Sequence, residues 1–202
     1  MTDRRRALLT AANLMRPVGG VIARIYSTSD EDVKFFDSSF SPLSDVAVGD
    51  QPAYYQIVSG SSPKYLVAEL SRSYARDKQW APANGTFIGA TSTTNGRENT
   101  DKVMAWNNGE YAQKSSLVWG WLAAANQNAL GGCSDWYIPS SSELSIVWNA
   151  KNSDGDYLLD NRSMYIASST EDDETAFKSI WGGRLQSHSK SSTYWYVPVR
   201  TI

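Results

Sequence analysis

The stretch 131–144, Gly-Gly-Cys-Ser-Asp-Trp-Tyr-Ile-Pro-Ser-Ser-Ser-Glu-Leu, constrains the fold of this 202-residue chain more than any other. Its two glycines can adopt positive φ after an apolar periodic run, which predicts the end of one helix. Pro139 keeps Ile138 extended, and Ser140 with Glu143 fits a capping box that starts a second helix. Apolar residues then recur at helical spacing, so the second helix is predicted to bury one face.

This arrangement resembles the C-type-lectin-like domains of bacterial and phage surface proteins, in the group whose hallmark reads D-W-[YFR]-[LI]-P-[ST]-x-x-E-L. Further segments resemble motifs of that group in the same order: Asn95–Asp101, which precedes the first helix there, Tyr165–Glu171 and Val197–Arg200. The resemblance covers about residues 45–202. It implies an α+β domain of the C-type-lectin-like fold, with two helices packed on short antiparallel sheets with long loops. It indicates a fold and no particular ligand.

The first 26 residues are basic, whereas the remainder is acidic overall, and this predicts an N-terminal anchor segment, 1–26, before a lectin-like domain, 27–202. A short helix is predicted over Ala7–Met15, with a break at Pro17 and a strand over Val21–Tyr26. Two interpretations remain open, an anchor that docks on a larger assembly and a frayed leader. A helix of about nine residues does not persist alone in water, which favours the docked anchor.

The strongest helical pattern covers residues 111–130, where Val118, Trp121 and Leu122 lie on one stripe. Trp119 falls off that stripe and is expected to pack against another element. Residues 76–101 are predicted to be mostly loop, because they are rich in turn signals. Strands are predicted at Val33–Phe36, Tyr54–Val58, Tyr65–Leu70 and Tyr194–Val199.

Charge and composition exclude several classes of protein. At a net charge of −2, neither a nucleic acid nor a membrane is expected as a partner. Cys133 is the only cysteine, so an intrachain disulfide cannot form, and this fits a chain that folds in a reducing cytoplasm. No apolar run reaches the roughly 18 residues that a membrane span needs, and no convincing signal peptide is found.

Nothing in the sequence predicts catalysis, a cofactor or a bound metal. The only histidine, His188, falls in a serine-rich run and is predicted to lie in a solvated turn. Formylglycine-generating enzymes share the lectin-like fold but use a cysteine pair, which Cys133 alone cannot supply. The calcium-binding triplets of sugar-binding lectins are missing, and the acidic residues within 154–160 lack EF-hand spacing. The charge run Glu171–Glu174 is predicted to be a solvated loop, with weak calcium binding as the open alternative.

A ligand-binding surface without a metal is predicted in residues 171–195, which form the exposed binding face in related phage and retroelement-diversified proteins. The candidate binding residues are Trp181, Arg184, Gln186, His188, Tyr194 and Trp195. Period-two alternation sets Tyr194 and Trp195 on opposite faces, so at least half of this set is expected to be structural. Four other residues are expected to be structural, with Trp136 buried between the two helices: Trp136, Pro139, Glu143 and Arg200.

These features predict a non-enzymatic virion protein of a bacteriophage, a tail or head-fibre component assembled in the host cytoplasm. Its lectin-like module would serve assembly or host-surface recognition. The expected partners are other virion or surface-assembly proteins through residues 1–26, a host-surface glycan or protein, and further copies of the chain in a homo-oligomer. The alternative is a bacterial cell-surface adhesin or a soluble glycan-binding protein.

Overall fold

The computed structural model describes residues 15–26, 33–58, 65–70, 75–83, 86–159 and 162–202. These residues form an α+β fold, as the sequence predicts. The helices are α1 Gly96–Ala105, α2 Val118–Gln127 and α3 Ser141–Asn149. Two helices were predicted for the lectin-like domain, and the described part of the chain contains three.

The strands form three sheets. Their bounds are β1 Arg16–Pro17, β2 Val21–Ile25, β3 Val33–Phe36, β4 Tyr54–Ile57, β5 Tyr65–Ala68, β6 Ala75–Gln79, β7 Ile166–Glu171, β8 Ala176–Trp181, β9 Arg184–Ser189, β10 Thr193–Tyr196 and β11 Val199–Thr201. The sheet orders are β1-β4-β3, β6-β10-β7-β8-β9 and β11-β5-β2. All pairs are antiparallel except β10 with β7. The predicted strands over residues 21–26, 33–36, 54–58 and 65–70 are confirmed, and the predicted closing strand is divided into β10 and β11 by Val197–Pro198.

The described part of the predicted anchor segment, residues 15–26, lies within the sheets of the domain. Strand β1 pairs with β4, and β2 pairs with β5. The side chain of Arg200 donates hydrogen bonds of 3.0 Å to the carbonyls of both Pro17 and Val18. Residues 1–14, with most of the predicted first helix, lie outside the described residues, so the anchor role of the segment stays a prediction.

The predicted helix over residues 111–130 is shorter in the structure. A 3-10 helix covers Tyr111–Gln113, and α2 begins at Val118 and ends at Gln127. A second 3-10 turn, Leu130–Gly132, separates α2 from the glycine pair, so these glycines do not cap the helix as predicted. They do have positive φ, and a Cβ added at Gly132 would lie 2.9 Å from the Pro17 ring. The turn therefore needs glycine to pack against β1.

Trp136 is fully buried, as predicted, and its backbone is bonded to α2. Its amide donates to Asn126 Oδ1 at 2.9 Å, and the Asn126 amide group donates back to the Trp136 carbonyl at 2.8 Å. The indole Nε1 donates to the Leu130 carbonyl at 2.8 Å. The next residue, Tyr137, exchanges two backbone hydrogen bonds of 2.8 Å with Val199. The extended segment Trp136–Tyr137 is thus hydrogen-bonded to α2 through Asn126 and to β11 through Val199.

The predicted capping box of α3 is confirmed. The Ser140 hydroxyl accepts from the Glu143 amide, and the Glu143 carboxylate accepts from the Ser140 amide at 2.8 Å. The same carboxylate also accepts from the Gly96 amide at 2.9 Å and from the Tyr137 hydroxyl at 2.9 Å. A Cβ at Gly96 would come within 2.4 Å of the Ser140 nitrogen. One carboxylate therefore joins the first turns of α1 and α3.

Replacing Glu143 by alanine is expected to destabilise the protein by about 2–3 kcal/mol, the range for hydrogen bonds to a charged group. Glu98→Ala is the matched control, because Glu98 occupies the same position in α1 and is exposed, with Lys102 as its ion-pair partner. That change is expected to cost about 0.5 kcal/mol. Urea unfolding measures both free energies. Equal costs for the two variants would contradict the proposed role of Glu143 in joining the helices.

Residues 76–101 were predicted to be mostly loop, which is wrong at both ends, where β6 and the start of α1 lie. Helix α1 buries polar groups. The Asn99 side chain donates to the Ser92 carbonyl at 2.7 Å and accepts from the Ser92 amide at 3.0 Å. The Thr100 hydroxyl accepts from the Ile138 amide at 3.1 Å. Tertiary hydrogen bonds therefore hold this face of α1 in place, where an apolar stripe would ordinarily do so. Apolar periodicity does not reveal such a helix.

The apolar core is divided into two clusters of buried side chains. The larger contains Trp80, Trp119 and Trp136. Trp119, the residue that fell off the α2 stripe, packs edge-on against Trp80 at 5.2 Å between ring centroids, and its Nε1 donates to the Trp80 carbonyl at 2.7 Å. The smaller cluster is built on the predicted apolar face of α3, with Leu144 and Trp148 against β8 and β11. Both predictions are confirmed.

Candidate ligand-binding surface

The β8–β9 hairpin carries four of the six predicted binding residues on one face. Residues directly opposite each other in antiparallel strands share a face of the sheet. The cross-strand pairs on this face are Trp181 with Arg184, Ser179 with Gln186, and Phe177 with His188. The turn is Gly182-Gly183, where both residues have positive φ as a two-residue hairpin requires.

Four rings meet on this side of the sheet and are here named the aromatic face: Tyr165, Trp181, His188 and Tyr194. Tyr165 and Trp181 stack, with ring centroids 5.4 Å apart and planes at 19°. His188 lies edge-on to Tyr165 at 4.7 Å and to Tyr194 at 5.7 Å. Trp181 is 44% exposed and Tyr165 37% exposed, so the stacked pair offers its surface to solvent.

Tyr165 was not among the predicted binding residues. It lies one step beyond the Ile166–Ile180 pair, which sets it opposite Trp181 across β7 and β8. The Trp181 Nε1 donates to the Ser163 carbonyl at 3.3 Å, which fixes the indole ring over this segment. The register of β7 against β8 is the only signal that could have found Tyr165, and a single sequence does not give that register.

His188 lies in strand β9, so its predicted position in a solvated turn is wrong. The residue is half-buried, and burial lowers the pKa of its imidazole below the ordinary value. The neutral form is therefore favoured at neutral pH. Its Nε2 is shielded from solvent and has no hydrogen-bond partner in the described part of the chain. His188 acts here mainly as a flat ring beside Tyr165.

The last two predicted binding residues, Tyr194 and Trp195, lie on opposite faces of β10, as the alternation indicated. Tyr194 is buried at the base of the aromatic face, edge-on to Phe177 at 5.0 Å. Trp195 points the other way, and the Arg76 guanidinium lies 4.6 Å from its ring centroid. The structure therefore brings five of the six residues to one side of the sheet and leaves Trp195 apart.

The predicted structural residues lie at junctions between elements. Arg200 is buried and donates to both carboxylate oxygens of Asp135, from Nε at 2.8 Å and from Nη2 at 3.0 Å. The Pro139 carbonyl accepts from both the amide and the hydroxyl of Ser169, at 2.8 Å and 3.1 Å. These contacts place Arg200 and Pro139, like Trp136 and Glu143, in the framework and away from the aromatic face.

Glu171 was predicted to be solvated with the rest of its charge run, and this is wrong. Glu171 and Lys190 form an ion pair in which both side chains are fully buried. The carboxylate also accepts from the amides of residues 88–90, at 2.6–3.1 Å. The Lys190 ammonium donates to the Thr86 carbonyl at 2.8 Å and lies 4.9 Å from the Trp80 ring centroid. The pair fixes the loop before α1 against β7 and the β9–β10 turn.

In the described ranges, no three His, Cys, Asp or Glu side chains converge on a possible metal position. Asp160, one of the acidic residues considered for calcium, lies outside those ranges. Cys133 is buried, its thiol donates to the Pro17 carbonyl at 3.1 Å, and burial raises its pKa. Cys133 therefore packs as a buried side chain against the β1 segment.

No protein-family model matches the chain, and no curated protein matches it significantly. Among the described helices, none has both the length and the apolar character to cross a bilayer. The geometry of the aromatic face is therefore the basis for the functional inference that follows.

Proposed function

We propose that this chain is a non-enzymatic attachment or structural protein of a phage virion, and that the aromatic face is its contact surface for a host-surface saccharide or protein. The observation that carries the proposal is the exposed stack of Trp181, at the glycine turn of the β8–β9 hairpin, on Tyr165, which directly precedes β7. Flat rings held in place by a sheet offer contact area at a low entropic cost, and Arg184 and Gln186 on the same face can hydrogen-bond a polar ligand.

We also propose that the domain has the C-type-lectin-like fold. The support is that all four motif segments of the resemblance are bonded to one another. Asp135 pairs with Arg200 of the last motif, and Glu143 binds the Gly96 amide of the first. The Pro139 carbonyl binds Ser169 of the third motif. These hydrogen bonds join the four motifs into one structural unit. Such a unit is expected when a set of motifs defines a common fold.

The proposal keeps the other two expectations from the sequence, the N-terminal anchor and the homo-oligomer. Residues 1–26 dock the protein on other virion proteins through the part that precedes β1, because β1 and β2 belong to the sheets of the domain. Further copies assemble with it as a homo-oligomer. The aromatic face would serve equally well in a bacterial cell-surface adhesin or a soluble glycan-binding protein. The content of purified phage particles separates these alternatives, because only a virion component copurifies with the capsid and resists washing at high salt.

The test of the aromatic face is Trp181→Ala in the full chain. Loss of the stacked indole is expected to weaken binding by more than about 2 kcal/mol, the size of a binding hot spot, while the melting temperature stays within a few degrees. Binding is measured with whole bacterial cells and with an array of bacterial surface saccharides. The melting curve of the same preparation shows whether the fold is intact.

Leu185→Ala is the matched control. Leu185 is 48% exposed and lies in the same hairpin, on the opposite face from Trp181 and Arg184. It is expected to leave binding unchanged. Equal binding by the native chain, Trp181→Ala and Leu185→Ala would exclude the aromatic face as the contact surface.

A further inference from the structure

A second group of aromatic and basic side chains lies in the last turn of α3 and in the segment after it, and is here named the basic cluster: Trp148, Lys151, Tyr157 and Arg162. The Arg162 guanidinium carbon lies 3.4 Å from the ring centroid of Tyr157 and 4.6 Å from that of Trp148. The Lys151 ammonium lies 4.4 Å from the Tyr157 centroid. Two cations therefore share one phenol ring, and stacking holds the guanidinium in place.

In the described ranges, neither charge of the basic cluster is neutralised by a carboxylate. Within the described part of the chain, no carboxylate forms an ion pair with Arg162 or Lys151. Asp154 and Asp156, on the turn between Lys151 and Tyr157, are exposed and do not pair with either cation. The positive potential of the cluster is therefore available to a ligand. Hydrogen bonding by Arg162, with the charge of Lys151, lowers the pKa of Tyr157, as expected beside two cations.

Two shielded donors of the basic cluster also lack acceptors. The Nε of Arg162 has no hydrogen-bond partner in the described ranges, and neither has the Nε1 of Trp148, which is 1% exposed. A buried donor without an acceptor destabilises the folded state, so such groups in a folded protein call for an explanation. A missing acceptor beside a guanidinium that has no carboxylate partner in the described ranges points to an oxyanion.

The basic cluster adjoins the aromatic face at two points. A Cβ at Gly183, in the turn that follows Trp181, would lie 3.6 Å from the Trp148 Nε1. The Trp181 Nε1 donates to the carbonyl of Ser163, the residue after Arg162. Trp148 packs with Ile180 on the opposite face of the sheet from Trp181, so the two surfaces meet at the hairpin end. A ligand long enough to cross this edge would contact both the stacked rings and the guanidinium.

We propose that the basic cluster is an anion subsite of the aromatic face, and that the ligand is an acidic saccharide bearing a carboxylate or a phosphate group. This inference rests on the proposed function of the aromatic face. The sugar ring would lie on Tyr165 and Trp181, while its anionic group accepts hydrogen bonds from Arg162 and the charge of Lys151 adds attraction. The planar guanidinium fork matches the oxygen geometry of both anions.

The experiment uses the full chain on an array of saccharides printed in matched pairs. Uronate oligosaccharides are printed beside their methyl esters, and sugar phosphates beside their dephosphorylated forms, so the two arms separate carboxylate from phosphate. The variants are Arg162→Gln and Lys151→Gln, with Lys34→Gln as control. Lys34 is an exposed cation of β3, in another sheet. Arg162→Lys keeps the charge and removes the fork, and melting curves accompany all variants.

The native chain is expected to bind the acidic member of at least one pair about tenfold more tightly than its neutral member, as one charge-assisted contact allows. Arg162→Gln should remove this preference, Arg162→Lys and Lys151→Gln should reduce it, and Lys34→Gln should leave it. Trp181→Ala should weaken acidic and neutral binding alike.

Saccharide binding with no preference for the acidic members, or a preference that survives in both Arg162→Gln and Lys151→Gln, would overturn the anion subsite and leave the aromatic face standing. Binding that Trp181→Ala does not change would overturn the proposed function itself. No binding by the native chain to any member of the array would overturn both.

Discussion

Replacing Lys190 by methionine is expected to destabilise the protein by about 3–5 kcal/mol, the range for removal of one partner from a buried ion pair. The methionine side chain fills most of the space beside Trp80, so packing changes little. The carboxylate of Glu171 would then be left in the interior with the amides of residues 88–90 but without its counter-charge. Urea unfolding followed by tryptophan fluorescence measures the loss.

Lys178→Met is the matched control, because Lys178 is also a lysine paired with an acidic residue, Asp172, but both side chains are about one-third exposed. An exposed pair contributes about 0–1 kcal/mol, so this variant should unfold near the native midpoint. Similar losses for Lys178→Met and Lys190→Met would contradict the view that burial makes the Glu171–Lys190 pair critical for stability.

Replacing Trp136 by alanine is expected to cost about 3–5 kcal/mol, the range for truncation of a core aromatic side chain. The indole is fully buried in the larger core cluster, and its Nε1 donates to the Leu130 carbonyl. The variant loses apolar burial, leaves a cavity and leaves that carbonyl without its donor. The loss appears as a lower urea midpoint and a lower melting temperature.

Trp181→Ala, which also tests the aromatic face, supplies the control for Trp136. The same side chain is removed at a position that is 44% exposed, and surface changes usually cost about 0.5 kcal/mol. The two variants should therefore differ in their effects. Trp136→Ala should lower the free energy of unfolding, and Trp181→Ala should weaken binding. A melting temperature that hardly moves in Trp136→Ala would contradict its structural role.

Sequence reasoning worked best where local signals decide the structure. Ser140 and Glu143 stand three residues apart, and their capping box needs no distant partner, so the start of α3 was correctly predicted. The buried face of α3 and the burial of Trp136 followed from apolar spacing and from aromatic character. The division of Tyr194 and Trp195 between two faces followed from strand geometry alone.

The same reasoning failed where residues distant in sequence decide the environment. Helix α1 buries Asn99 and Thr100 against loop and strand groups, and it has no apolar stripe for periodicity to detect. Glu171 stands at the start of an acidic run, and only the fold brings Lys190 to it. His188 sits among serines that suggest a turn, yet its pairing with Phe177 in the β8–β9 register makes it part of a strand.

The contacts of Arg200 have a consequence for biosynthesis. Its guanidinium binds carbonyls 182 and 183 positions earlier in the chain, and β11 lies in the same sheet as β2. At about 5–20 residues per second, a ribosome needs roughly 10–40 s to synthesise the intervening segment. During that interval β5 lacks its partner strand β11, and the Pro17 and Val18 carbonyls lack their donor. The emerging chain therefore exposes the edge of β5 until β11 has been made, and chaperone demand should fall sharply once Arg200 leaves the exit tunnel.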